Sequence, residues 1–250
     1  MFDGCSETPL IRWSGRDFGL FACERFARVD SAGNIVSTAT LSAPAESVAW
    51  NGSEYGVVDK TVEGFTHKGY FYRLDLDGRQ LGTPVLISES FGGSHDLIWN
   101  GQEYALAYDG PGALKFRRMS REGAPIGAER EIDVYAPDLT TIRLVWNGDG
   151  YGVVWRRAGT SGEENFRFTV LDTTGNVVAP VRLLGQSNAW YATLAWTGEE
   201  YGVAWQDDRT GGNLIYFARL DTTGAKLREI ELPVFGPYNW ADDEAPELVW

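Results

Sequence analysis

Sulfur and imidazole are scarce in this chain, whose 250 residues include two cysteines, two methionines and two histidines. His67, His95, Cys5 and Cys23 cannot be arranged by spacing into a four-ligand zinc site, so no metal site and no cofactor are expected. Two cysteines leave two readings open, a bridge tying the first residues to the first repeat or a pair of free thiols. Positive charge is also short. Twenty-two Lys and Arg stand against 35 Asp and Glu, a formal charge of −13, and with no basic stripe neither nucleic acid nor an anionic membrane surface is an expected partner. Long apolar runs are missing: nothing approaches the roughly 20 residues of a membrane span, and Met1-Phe2-Asp3-Gly4-Cys5 has neither the basic start nor the apolar stretch of a signal peptide. Helical periodicity is missing everywhere.

What the chain has in plenty is tryptophan and glycine, ten and 30 residues. Trp13, Trp50, Trp99, Trp146, Trp196 and Trp250 close short apolar runs at steps of 37, 49, 47, 50 and 54 residues, so the sequence is a repeat. Asn51-Gly52, Asn100-Gly101, Asn147-Gly148, Thr197-Gly198 and Ser14-Gly15 follow these tryptophans and supply the positive φ of a hairpin turn. A second strand then alternates large and small, as in Tyr201, Val203 and Trp205 against Gly202 and Ala204, which suits a strand covered on both faces. A third strand, such as Ile215–Leu220, runs into Asp-x-x-Gly turns at Asp30, Asp75, Asp172 and Asp221, with Ser120 in the remaining copy. A weaker fourth strand closes each period.

Four antiparallel strands per period predict an all-β chain and a β-propeller, either five four-stranded blades or five repeats of a larger ring of six to eight. The repeats fall at about 9–47, 48–96, 97–143, 144–193 and 194–247 of one propeller domain, with a further repeat beginning at 248–250. The recurring tryptophan should be buried between neighbouring sheets, so that Trp146→Ala would cost roughly 3 to 5 kcal/mol. Incomplete closure would leave apolar faces that self-associate.

The repeated Trp-Asn-Gly-x-Glu-Tyr, with Trp205-Gln206-Asp207-Asp208-Arg209 as a Trp-x-Asp-x-Arg extension, resembles exported bacterial propeller-like repeat proteins over residues 10 to 250. The resemblance implies an extracellular or cell-surface location and no defined activity. Trp155-Arg156-Arg157, Tyr108-Asp109 and the first copy depart from the extension.

Function is expected on the loops joining strands two to three and four to one, because these vary while the other turns repeat. They carry Tyr135, Trp190, Tyr191 and Trp240 beside Asp207 and Asp208, and rings next to carboxylates suit a glycan or protein ligand. The expected function is therefore noncatalytic recognition or adhesion, with no catalytic residue assigned. The alternative is a glycoside hydrolase on a five-bladed propeller, with Asp96, Asp207 and Glu247 as its acids. Gly185-Gln186-Ser187-Asn188-Ala189 lacks the helix of a nucleophile elbow, and Asp75-Leu76-Asp77-Gly78 has Arg79 where a calcium ligand belongs.

Overall fold

Each period becomes one antiparallel sheet whose strands lie in chain order. Sheet one is β1 (Leu10–Trp13), β2 (Phe18–Ala22), β3 (Arg25–Val29) and β4 (Ile35–Thr40), and sheet two is β5 (Ser47–Trp50), β6 (Tyr55–Glu63), β7 (Thr66–Leu74) and β8 (Gln80–Ser88). Sheet three is β9 (His95–Trp99), β10 (Tyr104–Gly110), β11 (Ala113–Met119) and β12 (Pro125–Val134). Sheet four is β13 (Leu139–Trp146), β14 (Gly150–Arg157), β15 (Asn165–Asp172) and β16 (Arg182–Leu183); sheet five is β17 (Ala189–Trp196), β18 (Tyr201–Asp207), β19 (Leu214–Leu220) and β20 (Lys226–Leu232). The computed structural model describes residues 9–63, 66–134, 139–157, 165–185, 189–207, 209, 214–232 and 248, without the side chains of 63, 140, 165, 189 and 190. No helix occurs among the described residues. Two compact units divide the chain, the first holding sheets one and two with 97–106 and 118–128, the second holding 93–96, 107–117 and everything from 129 onward.

The turns follow from side-chain chemistry. Asn51 Oδ1 accepts the backbone N–H groups of Ser53 and Glu54, both at 3.0 Å, while Gly52 takes a φ of 96°. Asn100 binds Gln102 and Glu103 in the same way. In the Asp-x-x-Gly turns one carboxylate oxygen accepts two amides, as Asp172 does from Thr174 at 2.8 Å and Asn176 at 2.9 Å. Such a turn satisfies backbone donors that the strands leave unpaired.

Packing between sheets obeys one rule inside each unit. The tyrosine that opens the second strand lies over the small residue in the second strand of the preceding sheet: a methyl at Gly19, Gly56 or Gly152 would sit 2.5 Å from Tyr55, Tyr104 or Tyr201. A third-strand phenylalanine reaches the other way, to the turn glycine of the following sheet. Phe26 meets Gly78 and Phe71 meets Gly123 in the first unit; Phe116 meets Gly175 and Phe168 meets Gly224 in the second. Each sheet thus has a leading face, carrying the tyrosine, and a trailing face, carrying the small residue and the phenylalanine. Phe21, Phe26, Val48, Tyr55, Val57, Tyr72 and Leu74 form the core between sheets one and two, and Phe166, Phe168, Tyr201, Val203, Trp205 and Ala218 that between sheets four and five. All seven residues of β18 are buried, which is why its first five, Tyr201–Trp205, are apolar on both faces.

The recurring tryptophans depart from expectation. Trp13 is exposed and Trp50, Trp99, Trp146 and Trp196 are only half-buried, because each sits at the strand end and leans on its own hairpin. Trp146 lies 4.8 Å from the Tyr151 ring and Trp196 4.6 Å from Tyr201. The fully buried indoles are Trp155 and Trp205, so the cost expected for Trp146→Ala belongs to these instead. Cys23 is disulfide-bonded, so the reading of it as a free thiol falls. Cys5 lies outside the described residues. Cys23 occupies the tight β2–β3 turn with a φ of 55°.

Candidate functional site

At the variable-loop end of sheet five, β17 and β18 run in register from Trp196 opposite Tyr201 to Ala192 opposite Trp205, then slip. Beyond the slip Trp190 pairs with Gln206 and Ala189 with Asp207, so Tyr191 is the extra residue of a β-bulge. Its φ is 45°. A positive φ is uncommon for a residue with a side chain, and bulges re-aim side chains at sheet rims. Cys23 and Tyr191 are the only non-glycine residues with positive φ among those described, and both sit at variable-loop ends. Tyr191 is half-buried.

Asp207, across the ladder from Ala189, is fully buried. Its Oδ2 accepts the Trp205 indole N–H at 3.1 Å and Arg209 Nε at 2.8 Å, with Arg209 Nη2 closing the fork. Oδ1 accepts the Arg209 backbone N–H at 2.9 Å. Burial alone would raise this carboxyl's pKa, but the hydrogen bonds from Arg209 and Trp205 and the guanidinium charge outweigh it and hold the pKa below the ordinary value. Arg209 in turn gives Nη1 to Glu229 at 2.5 Å and lies 4.1 Å from the centre of the Tyr216 ring. The Trp-x-Asp-x-Arg extension is therefore a clamp that pins the start of the β18–β19 loop. An indole N–H buried in this way needs an acceptor; in sheet four the same need is met by Asp133, 3.2 Å from Trp155 Nε1.

Of the residues chosen from sequence, the structure brings together the Trp190 backbone, Tyr191 and Asp207 at one edge. Asp207 is internal there, not an open carboxylate. The side chain of Trp190, and Tyr135, Asp208 and Trp240 altogether, lie outside the described residues. Among the acids of the hydrolase reading, Asp96 Oδ2 accepts the Leu144 amide at 2.7 Å, Asp207 is clamped, and Glu247 lies outside the described residues. Among the described residues no three His, Cys, Asp or Glu side chains are placed to hold a metal ion.

At the opposite, turn-bearing ends most of the recurring acids are engaged with groups of their own sheets. Besides the capped Asp turns, the acid before the tyrosine pairs with an arginine of the third strand: Asp17 with Arg28 at 2.6 Å, Glu54 with Arg73 at 3.9 Å, Glu103 with Arg118 and Glu200 with Arg219 each at 2.5 Å. Sheet four has Gly150 and Val170 at the two positions, so both partners are lost together. The sequence reading missed this pairing. Its signal was there, an acid before the aromatic and an arginine two residues before the turn Asp or Ser, in four repeats, with both absent from the repeat of sheet four.

No family model matches the chain, and no curated protein matches it in sequence. Among solved structures it is similar to the Dos1 propeller, at 13% identity over 88% of this chain and 57% of that one, with a TM-score of 0.56. It is also similar to the β-propeller domain of the Trilobed protease from Pyrococcus furiosus, at 11% identity over 84% and 69% of the two chains with a TM-score of 0.52. A third similarity, to a chain of a mitotic checkpoint complex, has 13% identity over 89% and 66% with a TM-score of 0.60. The chain therefore spans 57 to 69% of the length of these three. At such identities the likeness concerns fold alone, and the fold is the all-β, β-propeller type built of five four-stranded sheets.

Proposed function

We propose that this chain is a noncatalytic recognition or adhesion module that takes a protein or glycan ligand on its variable-loop side. The observation that carries the reading is the bulge at Tyr191: a tyrosine held at a φ of 45° where its strand slips against the fully buried β18. Backbone strain of this kind costs free energy and persists where its surroundings over-determine it, often at binding sites. The turn side offers a ligand much less, because its carboxylates and amides are already engaged with their own turns and arginines. The mitotic checkpoint neighbour works within a protein complex, which supports a protein ligand here. An exported or surface location, as in the repeat proteins that the chain resembles, is supported by the disulfide at Cys23.

The test is binding on a glycan array and to a displayed peptide library, alongside turnover of aryl glycosides. Binding in one of the first two, lost in Tyr191→Ala at unchanged melting temperature, is the expected result. Turnover of an aryl glycoside, or binding that survives Tyr191→Ala, would overturn it.

A further inference from the structure

The packing rule makes one face of this molecule conspicuous. In sheets two to five the turn glycine is covered by a phenylalanine of the preceding sheet, with ring atoms 2.3 to 2.8 Å from where a methyl would stand. At Gly33 of sheet one no atom of the described residues lies within 4 Å of where a methyl would stand. Phe18, which stands where the later sheets have their buried tyrosine, is 39% exposed, and Ile11 and Ile35 beside it are 56% and 68% exposed. Cross-strand pairing of Ile11 with Leu20, of Phe18 with Val29 and of Val29 with Ile35 puts all of these on the leading face.

We infer that this leading face docks the trailing face of sheet five from a second copy of the chain. The repeat specifies the complement: a small residue opposite the aromatic and a phenylalanine over the turn glycine. Sheet five has both, Gly202 in the small position and Phe217 in the position of Phe26, Phe71, Phe116 and Phe168. Those four are buried, whereas Phe217 is only half-buried and leans back to 3.2 Å from a methyl at Gly202. Leu248 shows how the face is used. Its N–H donates to Thr193 Oγ1 at 3.4 Å, as Leu97 donates to Ser47 Oγ at 2.9 Å and Leu144 to Asp96 Oδ2 at 2.7 Å. Thr193, Ser47 and Asp96 all stand three residues before a recurring tryptophan, and each donor stands two before the next. Leu248 thus holds, within its own chain, the place that Ile11 of a second copy would take. The contact is heterologous, since two different faces meet, and it stands apart from the ligand-binding reading.

Sedimentation over a range of micromolar concentrations tests it, using the whole chain, a chain ending at Glu247, Leu248→Ala, and Ile11→Lys/Ile35→Lys. The whole chain should gain mass with concentration. Removing 248–250, or the milder Leu248→Ala, should strengthen association severalfold by freeing the face. The double lysine variant, altering two exposed residues, should remain a monomer with an unchanged melting curve. Association that survives the two lysines, that weakens when Leu248 is removed, or that never occurs in the chain ending at Glu247 would overturn the inference.

Discussion

The leading faces of sheets one and two are built from the same kinds of residue on corresponding strands, yet they have opposite fates. Val48, Tyr55 and Val57 in sheet two are completely buried, while their counterparts Ile11 and Phe18 are exposed and Leu20 is half-buried. Hydrophobicity does not separate the two sets. What distinguishes the residues of sheet two is that the trailing face of sheet one lies against them, which is how stability is organised in repeat proteins generally: each unit's burial belongs to its contact with a neighbour. A residue's place in the repeat therefore says what it can bury against, and the neighbour says whether it does.

The sharpest way to break this comparison is truncation at the equivalent aromatic. Tyr55→Ala removes a fully buried ring that packs on Phe21 and Phe26 and should cost roughly 3 to 5 kcal/mol. Phe18→Ala should cost under about 1 kcal/mol in the monomer, because the ring already faces solvent. Urea unfolding of both variants at low protein concentration provides the measurement. Equal losses would mean that the leading face of sheet one is covered in solution.

A smaller effect sharpens it. Asn51 Nδ2 donates to the Tyr104 hydroxyl at 2.9 Å and Asn147 Nδ2 to that of Tyr201 at 2.5 Å. Sheet one has Ser14 at this position, and the buried Tyr55 hydroxyl has no hydrogen-bond partner among the described residues. Tyr104→Phe and Tyr201→Phe should each cost about 1 kcal/mol, while Tyr55→Phe should be neutral or stabilising, since a buried unsatisfied hydroxyl is removed. Ser14→Asn should stabilise the parent chain but not the Tyr55→Phe variant, and the double-mutant cycle reads that coupling directly. Burial raises the phenol pKa of both Tyr55 and Tyr201 to about 12. Their folded-state values lie above the unfolded value near 10, so this contribution is complete below pH 10 and is lost as pH rises through 12. An alkaline spectrophotometric titration in which these phenols ionise near 10 would show them exposed.

How far the sequence could be read follows from which features are local. The hairpins were legible because Asn-Gly and Asp-x-x-Gly carry their own turn chemistry, and the strands because large and small residues alternate wherever both faces are covered. The half-burial of Trp146 was not, because its position at the strand end, against Tyr151, depends on hairpin geometry more than on hydrophobicity. Asp207 looked like an available acid until Arg209 folded back onto it. The bulge at Tyr191 is a property of register between two strands, and a single strand's sequence does not encode where it slips. The arginine ladder was legible in principle, but only by aligning the repeats position by position.

The smallest expected effect compares two turns in place of two faces. In sheet four the Asp172 carboxylate accepts the Thr174 and Asn176 amides; in sheet three Ser120 Oγ accepts those of Glu122 and Ala124 at 3.2 and 3.3 Å. Partial burial pushes the Asp172 carboxyl upward, but the hydrogen bonds from Asn176 and Thr174 dominate and bring its pKa down to about 2 from an ordinary 3.8. The folded value lies below the unfolded one, so the stabilisation is complete above about pH 4 and is lost as pH falls towards 2. Exposure and solvent screening keep it below about 1 kcal/mol. Asp172→Ser should therefore lower neutral-pH stability by that small amount, under about 1 kcal/mol, and flatten the acid limb, so that the two chains converge as pH falls towards 2. Amide chemical shifts give the finer reading. Thr174 and Asn176 should titrate together near pH 2 while Glu122 and Ala124 show no step from their serine, and a common midpoint near 3.8 for Thr174 and Asn176 would mean that the carboxylate is not held by its turn in solution.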